Sequence, residues 1–416
     1  DIFFSQLLFS FHTPKFGFIL ICCIFGKRNK IYQDTMNLIS KQYDKTEVQI
    51  TSFETKKGIT EYHLLFQQTD CLEDYPTQLQ NLLQAYTQCV EELPGNPTAV
   101  FRRYFLSDVT NQTASLMEQD RSNPYCALSI VQQAPMNGTK IALWAWLQTG
   151  VQTQVLPSNL FEARHGSYRQ LFGANLCNRA ANSEYQTRLI FRDYIMQLTA
   201  ANCTLANNCI RTWIFVQNVD VNYPGVVKAR KDVFATQNLT ENTHFIASTG
   251  IEGRYQDTNV FVTMDTYAVS GIGQEQIQYL YAPDHLSRTY EYGVTFERGT
   301  AITYGDRRHV FVSGTASIDR YGEIVHPGDV IKQSERMIEN ITALLNEAGA
   351  DLNDIMQAIV YIRDTGDFAR IEQYMKANHP NMPYLIVRAP VCRSGWLVEI
   401  ECLAVVAVDE PEYPPL

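Results

Sequence analysis

Two adjacent stretches decide the fold of this chain: Gln333 to Ala348 (QSERMIENITALLNEA) and Ile355 to Asp364 (IMQAIVYIRD). The first has apolar residues at helical spacing, with Met337 and Ile341 on one stripe. Gly349 stands where a helix is expected to stop. The second is a short run rich in β-branched residues, which is typical of a strand. Together they predict a helix, a short loop and a buried strand.

The same helix–strand order occurs twice more along the chain. One copy has Tyr185 to Ala200 followed by Cys209 to Asn218, and the other has Thr77 to Leu93 followed by Val100 to Asp108. A further β segment precedes and follows each copy. Because an internal repeat sets the architecture, we predict an α+β chain of three units, each a mixed sheet with helices on one face.

Turn residues and changes of composition predict the boundaries of these units. We expect five segments, namely an N-terminal extension (1–47), a first unit (48–150), a second unit (155–272), a third unit (285–408) and an acidic, proline-containing tail that frays (409–416).

The N-terminal residues have an unusual composition. Phe16 to Phe25 (FGFILICCIF) is apolar, but it is too short to span a bilayer. One interpretation is that Met36 is the true start, and the other is that the apolar run is the core of an export signal. N-terminal sequencing of the native protein distinguishes the two.

The composition excludes several classes of function. The chain has 416 residues, a formal net charge of -10 and no Lys/Arg-rich run, which argues against a surface that binds nucleic acid. Its ten cysteines are scattered without C-x-x-C pairs, so we expect no metal site. We therefore predict a cytoplasmic protein with reduced thiols, no cofactor and no membrane association, which acts on or binds a small molecule.

Two carboxylates near the C-terminus are candidates for acid–base chemistry. Glu399 and Glu401 are two residues apart on a predicted strand, so both point to the same face. If that face is partly buried, repulsion raises one pKa toward neutrality, which suits a general acid or base. A solvated face, or pairing with Lys or Arg, is the alternative.

The third unit resembles the RidA (YjgF-like) family. The matching text includes Val312 to Ile318 (VSGTASI), His326 to Asp329 (HPGD) and Val398 to Ala404 (VEIECLA). The resemblance implies RidA-like (chorismate-mutase-like) units. Since RidA proteins are trimers with ligand clefts between subunits, it also implies an intramolecular pseudo-trimer that is monomeric.

The second and third units together are similar to the chorismatases, which cleave chorismate and are built on RidA-like units. The similar text includes Arg211 to Trp213, Ile246 to Ile251, Phe296 to Arg298 and Val391 to Arg393. The resemblance implies a hydrolase or lyase that acts on chorismate or a related small cyclic carboxylic acid.

The resemblance also implies roles for individual residues. Glu399 is the expected proton donor, ahead of Glu401, because a carboxylate on this strand serves that role in chorismatases. The substrate-binding candidates are Arg211, Arg298, Arg393, Tyr292, Thr249, Gly250, Ser313 and Cys392. The arginines suit carboxylates, although any of them could form a surface ion pair instead. Cys392 has no histidine nearby in the sequence, so we expect a pocket wall rather than a nucleophile.

The chain departs from both families. The arginine that follows a proline in RidA imine deaminases is missing from Pro383 to Val387 (PYLIV), and the extra arginine of chorismatases is missing after Tyr292-Gly293. These losses argue against imine deamination and leave chorismate itself open. The alternative is a non-catalytic RidA-like protein that binds a metabolite or a partner.

Overall fold

The structure is a computed structural model, and it describes residues 36–122 and 125–416. The predictions made for residues 1–35 lie outside the described residues. Within the described ranges, no helix is both long and apolar enough to cross a membrane.

The strands of the described chain form three six-stranded sheets. The first contains β1 (Asn37–Tyr43), β2 (Thr46–Phe53), β3 (Glu61–Gln68), β4 (Thr98–Leu106), β5 (Ala127–Gln132) and β6 (Ile141–Gln148). The second contains β7 (Gln152–Val155), β8 (Phe161–His165), β9 (Tyr168–Cys177), β10 (Cys209–Val216), β11 (Ala247–Glu252) and β12 (Val262–Ser270). The third contains β13 (Ile277–Leu280), β14 (Gly299–Thr303), β15 (Arg307–Ala316), β16 (Ile355–Ile362), β17 (Tyr384–Arg388) and β18 (Val398–Ala407).

Helices connect the strands of each sheet. They are α1 (Tyr75–Glu92), α2 (Val109–Gln119), α3 (Ser183–Ala200), α4 (Leu205–Asn208), α5 (Val219–Thr236), α6 (Val330–Glu347) and α7 (Phe368–Asn378). In every unit a long helix follows the third strand, and another helix joins the next two strands, which pair in parallel.

The three sheets share one topology. Their strand orders are β1-β2-β3-β6-β4-β5, β7-β8-β9-β12-β10-β11 and β13-β14-β15-β18-β16-β17. In each, only the last pair in this order is parallel. This confirms the predicted α+β fold of three RidA-like units, each a mixed sheet with helices, in an intramolecular pseudo-trimer.

Helix α6 shows why the predicted helices form. The side chain of Asp329 caps its N-terminus by accepting hydrogen bonds from the amides of Ile331 and Lys332. Met337 is buried on the inner face, and Gly349 has a φ of 73° just beyond the C-terminus. The predicted helix–strand pairs are confirmed within a few residues.

The sequence did not predict the strands that begin each sheet. β1 lies before residue 48, and β13 lies within the expected linker between the second and third units. β1 is largely exposed and polar, so it lacks the alternating pattern that marks a half-buried strand.

The acidic tail is a second difference. We expected residues 409–416 to fray, but the Leu416 side chain is fully buried. The amide of Ile59 donates to Leu416 O at 2.7 Å, and the amide of Leu416 donates to Asp306 Oδ1 at 2.9 Å. The prediction was wrong because composition does not reveal that the Ile59 backbone and the Asp306 carboxylate form hydrogen bonds with Leu416.

Corresponding positions in the three sheets can be recognised from a shared irregularity. Strands β4, β10 and β16 each show a shift in register with their antiparallel neighbour near their start. The shifts lie at Phe101, Arg211 and Gln357 respectively. Two residues later, Arg103, Trp213 and Ile359 pair with Trp144, Asp265 and Glu401 respectively. Trp144, Asp265 and Glu401 therefore occupy the same place in their units.

These corresponding positions meet in the interior. Arg103 contacts Asp265 at 2.8 Å and Glu401 at 3.5 Å, and Arg211 contacts Glu401 at 2.9 Å. All four side chains are at most 2% exposed. Two cations and two anions thus neutralise each other where the three sheets face one another.

Candidate functional site

A cavity of about 860 Å³ lies between the second and third units. Helix α5 and strand β11 form the wall from the second unit. Strands β15 and β18, with residues from the segments 292–298 and 392–396, form the wall from the third unit. We call this space the main cavity. Its volume is in the range of sites for drug-sized ligands.

Glu399 on β18 lines the main cavity and is only 5% exposed. Burial, reinforced by the nearby Glu401 carboxylate, raises the pKa of Glu399 to about 8. Gly314 on β15 leaves the room for this carboxyl, since a Cβ there would lie 2.2 Å from Glu399 Oε1. At neutral pH Glu399 is therefore a protonated acid that can donate.

Two of the predicted arginines also line the main cavity. Arg298 donates from Nε and Nη2 to Ser287 O at 3.2 and 3.0 Å. Arg393 donates to Gly322 O at 3.4 Å. Neither forms a salt bridge with an acid among the described residues, so both retain donors for an anion.

Sequence reasoning missed a third arginine. Arg230 on α5 lines the main cavity and is 1% exposed. Its Nη1 lies 3.5 Å from Ser248 Oγ, while Nε and Nη2 are buried without a hydrogen-bond partner in the described part of the chain. Arg230 belongs to none of the motifs quoted above, and only the tertiary structure places it here.

Six of the ten predicted site residues line the main cavity: Glu399, Arg298, Arg393, Tyr292, Gly250 and Cys392. The other four lie behind its wall. Arg211 and Glu401 form a buried ion pair and border a separate void of about 10 Å³. Thr249 Oγ1 accepts from Arg211 and from the Gly314 amide.

Ser313 joins the two units rather than facing the main cavity. Its hydroxyl donates to Glu297 O at 2.6 Å and accepts from the Ser248 amide at 2.9 Å. Because both roles are taken by backbone groups, Ser313 fixes the relative position of β11 and β15.

Gly250 shapes the wall that the second unit contributes to the main cavity. A Cβ at Gly250 would lie 2.7 Å from the Tyr223 ring, so the glycine lets that ring pack against β11. On the wall from the third unit, burial raises the pKa of the Cys392 thiol to about 12. A thiol that stays protonated is a poor nucleophile, and Cys392 here is a wall residue.

A smaller cavity occupies the corresponding place between the first and second units. It has a volume of about 330 Å³ and is bordered by α2, β5 and β9. None of its described lining residues is charged. The main cavity therefore differs from its counterpart in carrying both an acid and cations.

In the described ranges, no group of three His, Cys, Asp or Glu side chains lies close enough together to hold a metal ion.

Comparison with known proteins identifies relatives of part of this chain. A family model described as Endoribonuclease L-PSP matches residues 300–406. A RutC family protein of Pyrococcus abyssi is 49% identical over 98 residues, which is 23% of this chain and 76% of that protein. The 3-hydroxybenzoate synthase of Streptomyces hygroscopicus is 34% identical over 102 residues, which is 22% of this chain and 30% of the synthase.

A solved structure resembles most of the described fold. The crystal structure of a chorismatase superposes with a TM-score of 0.59, at 18% sequence identity. The match covers 75% of this chain and 95% of that chain. At this identity the likeness establishes a common fold.

Proposed function

Because this chain belongs to the RidA superfamily, which includes the RutC and L-PSP proteins, we propose that its main cavity is a chorismatase-type active site. Its substrate would be chorismate or a related small cyclic acid with an enolpyruvyl ether. One observation carries the proposal: Glu399, an acid with a pKa near 8, shares a cavity with Arg298 and Arg393, which form no salt bridge among the described residues.

In this proposal, Glu399 protonates the methylene carbon of the enolpyruvyl group. The C=C electron pair forms the new C–H bond, and the ether carbon becomes an oxocarbenium centre. Water adds to that carbon and returns its proton to Glu399, and the resulting hemiketal collapses to the ring alcohol and pyruvate. The overall reaction consumes one water, and general acid catalysis of this kind contributes about 10²- to 10⁴-fold.

Arg298 and Arg393 would hold the two carboxylates of such a substrate. Arg298 is oriented by Ser287 O and by the Tyr292 ring, which lies 5.3 Å from its guanidinium carbon. Arg393 lies 4.5 Å from the centroid of the same ring. Because guanidinium groups remain charged, they also keep the substrate carboxylates ionised.

Incubation with chorismate and coupled detection of pyruvate tests the proposal. We expect pyruvate release from the unmodified chain and a loss of at least about 10²-fold in Glu399→Gln. Glu339→Gln, which changes an exposed acid on α6, is the matched control. Saturable binding of chorismate with no pyruvate would instead favour the non-catalytic binding protein.

We also propose that the protein acts as a cytoplasmic monomer. The described cysteines are free thiols, which suits a reducing compartment. The three sheets that other RidA proteins would assemble from separate subunits are all present in this chain. Mass measurement in solution tests the second point, and a trimer of full chains would contradict it.

A further inference from the structure

Cations and aromatic rings alternate from the second-unit wall of the main cavity to the third-unit wall. The Phe296 ring lies 5.7 Å from the guanidinium carbon of Arg230 and 5.5 Å from that of Arg298. The Tyr292 ring lies 5.3 Å from Arg298 and 4.5 Å from Arg393. Three guanidinium groups are therefore held apart by two rings.

Arg230 differs from Arg298 and Arg393 in its hydrogen bonding. Its unpartnered Nε and Nη2 form the edge that binds carboxylate or phosphate through two parallel hydrogen bonds. A buried guanidinium with nothing on that edge is costly to the folded chain. Such an arrangement is explained if an anion occupies the edge when the site is loaded.

The proposed reaction needs only two of the three arginines. A cyclic enolpyruvyl acid has one ring carboxylate and one side-chain carboxylate, which Arg298 and Arg393 accommodate. We infer that the main cavity contains a third anion subsite, formed by the Nε–Nη2 edge of Arg230, which takes a phosphate or carboxylate group. The inference rests on the proposed function for the assignment of the other two arginines.

The surroundings of Arg230 fit this subsite. The next residue on α5, Lys231, also lines the main cavity and has no acidic partner among the described residues. Lys228, one turn earlier, lines it as well, although it is paired with Glu184. A volume of about 860 Å³ leaves room for a substituent beyond a small diacid.

Calorimetric titration of two related ligands tests the subsite. Chorismate has two carboxylates, and 5-enolpyruvylshikimate 3-phosphate has two carboxylates and a phosphate. Titrations use the Glu399→Gln chain to prevent turnover. We expect the phosphate ester to bind at least about tenfold more tightly than chorismate. Equal affinity for the two ligands, with no effect of free phosphate, would overturn the inference.

Substitution of Arg230 tests whether this residue causes the difference in affinity between the two ligands. In the Glu399→Gln background, Arg230→Met should weaken binding of the ester at least about tenfold and that of chorismate less than about threefold. Arg230→Lys should restore part of the loss, and Arg192→Met, at an exposed position on α3, should change neither. Equal weakening of both ligands would mean that Arg230 holds a substrate carboxylate, and would overturn the third subsite.

A third titration distinguishes a phosphate group carried by the ligand from a separate phosphate ion. Chorismate is titrated with and without inorganic phosphate. Tighter chorismate binding in phosphate that Arg230→Met abolishes would support the subsite and assign it to a free anion. Tighter binding of the ester alone would assign it to a substituent of the ligand.

Thermal unfolding separates binding from a structural role. Removing an unpartnered buried charge should leave the melting temperature of Arg230→Met unchanged or higher. A decrease of more than about 5 °C would make Arg230 a structural residue and overturn the inference. Pyruvate release from chorismate by the unmodified chain tests the proposed function separately.

Discussion

Gly314 lies directly against the carboxyl group of Glu399, and a Cβ at this position would be 2.2 Å from Glu399 Oε1. Glu399 on β18 pairs with Ala316 on the neighbouring strand β15, and Gly314 lies two residues before Ala316 on that strand. The absence of a side chain at position 314 therefore determines where the proposed proton donor can lie.

We predict that Gly314→Ala lowers pyruvate release from chorismate at least about tenfold, because the carboxyl must rotate away from its position. The atoms that must move furthest are at the end of the Glu399 side chain, and Thr249 Cγ2 at 3.1 Å must give only slightly, so the free energy of unfolding should change by less than about 1 kcal/mol. Gly366→Ala, at a turn before α7, is the control. Unchanged activity in Gly314→Ala would contradict this account of the glycine.

The rate of pyruvate release should depend on the protonation of Glu399. Since the proposed active form is the neutral acid and its pKa is about 8, kcat/KM should be flat just below pH 8. Above that pH it should fall about tenfold per pH unit. A pH–rate profile measures this. A limb that falls near pH 4.5, the ordinary value for a glutamic acid, would contradict the proposed role.

The same carboxyl should make stability depend on pH. Its pKa is raised on folding, so the unfolded chain releases the proton above about pH 4.5 while the folded chain retains it to about pH 8. The contribution of Glu399 to the free energy of unfolding is therefore fully present below pH 4.5 and is lost as the pH rises toward 8. Denaturant unfolding of the unmodified chain and of Glu399→Gln should diverge over this interval. Parallel pH profiles would contradict the raised pKa.

Glu401 should behave differently from Glu399 although both lie on one face of β18. Glu401→Gln removes the charge that neutralises Arg211 in the interior, so we expect a loss of about 3–5 kcal/mol in the free energy of unfolding. Urea titration measures this loss, with Glu399→Gln as the comparison. Equal stability of the two variants would argue that the interior pair is not structural.

The C-terminal segment should stabilise the fold. Leu416 is fully buried, and its backbone bonds to Ile59 and Asp306 connect the first and third units. Leu416→Ala should cost about 2–5 kcal/mol, whereas Glu412→Ala, at an exposed position, should have little effect. Thermal unfolding checks both, and equal melting temperatures would contradict the role of the segment.

The sequence predicted the repeated helix–strand pairs because burial on one face imposes a period that survives in each copy, as the buried Met337 stripe of α6 shows. It also directed attention to Glu399, Arg298 and Arg393, which line one cavity. It did not distinguish Arg211 from these arginines, since residue type does not reveal which acid lies opposite in the fold. Arg230 was missed for the same reason, as its significance depends on Phe296 and Ser248 from distant parts of the chain.

The shared position of Trp144, Asp265 and Glu401 has a consequence for how this chain was able to diverge. An assembly of identical subunits repeats every residue around its axis, so an acid at this position would bring three like charges together in the interior. Covalent linkage removes that constraint, because each position is specified once. Arg103 and Arg211 can then balance one aspartate and one glutamate, while a tryptophan fills the third place. The three units thus differ in sequence at the centre of the fold. In the same way, an acid and several cations line the main cavity, whereas none belongs to the described lining of its counterpart between the first and second units.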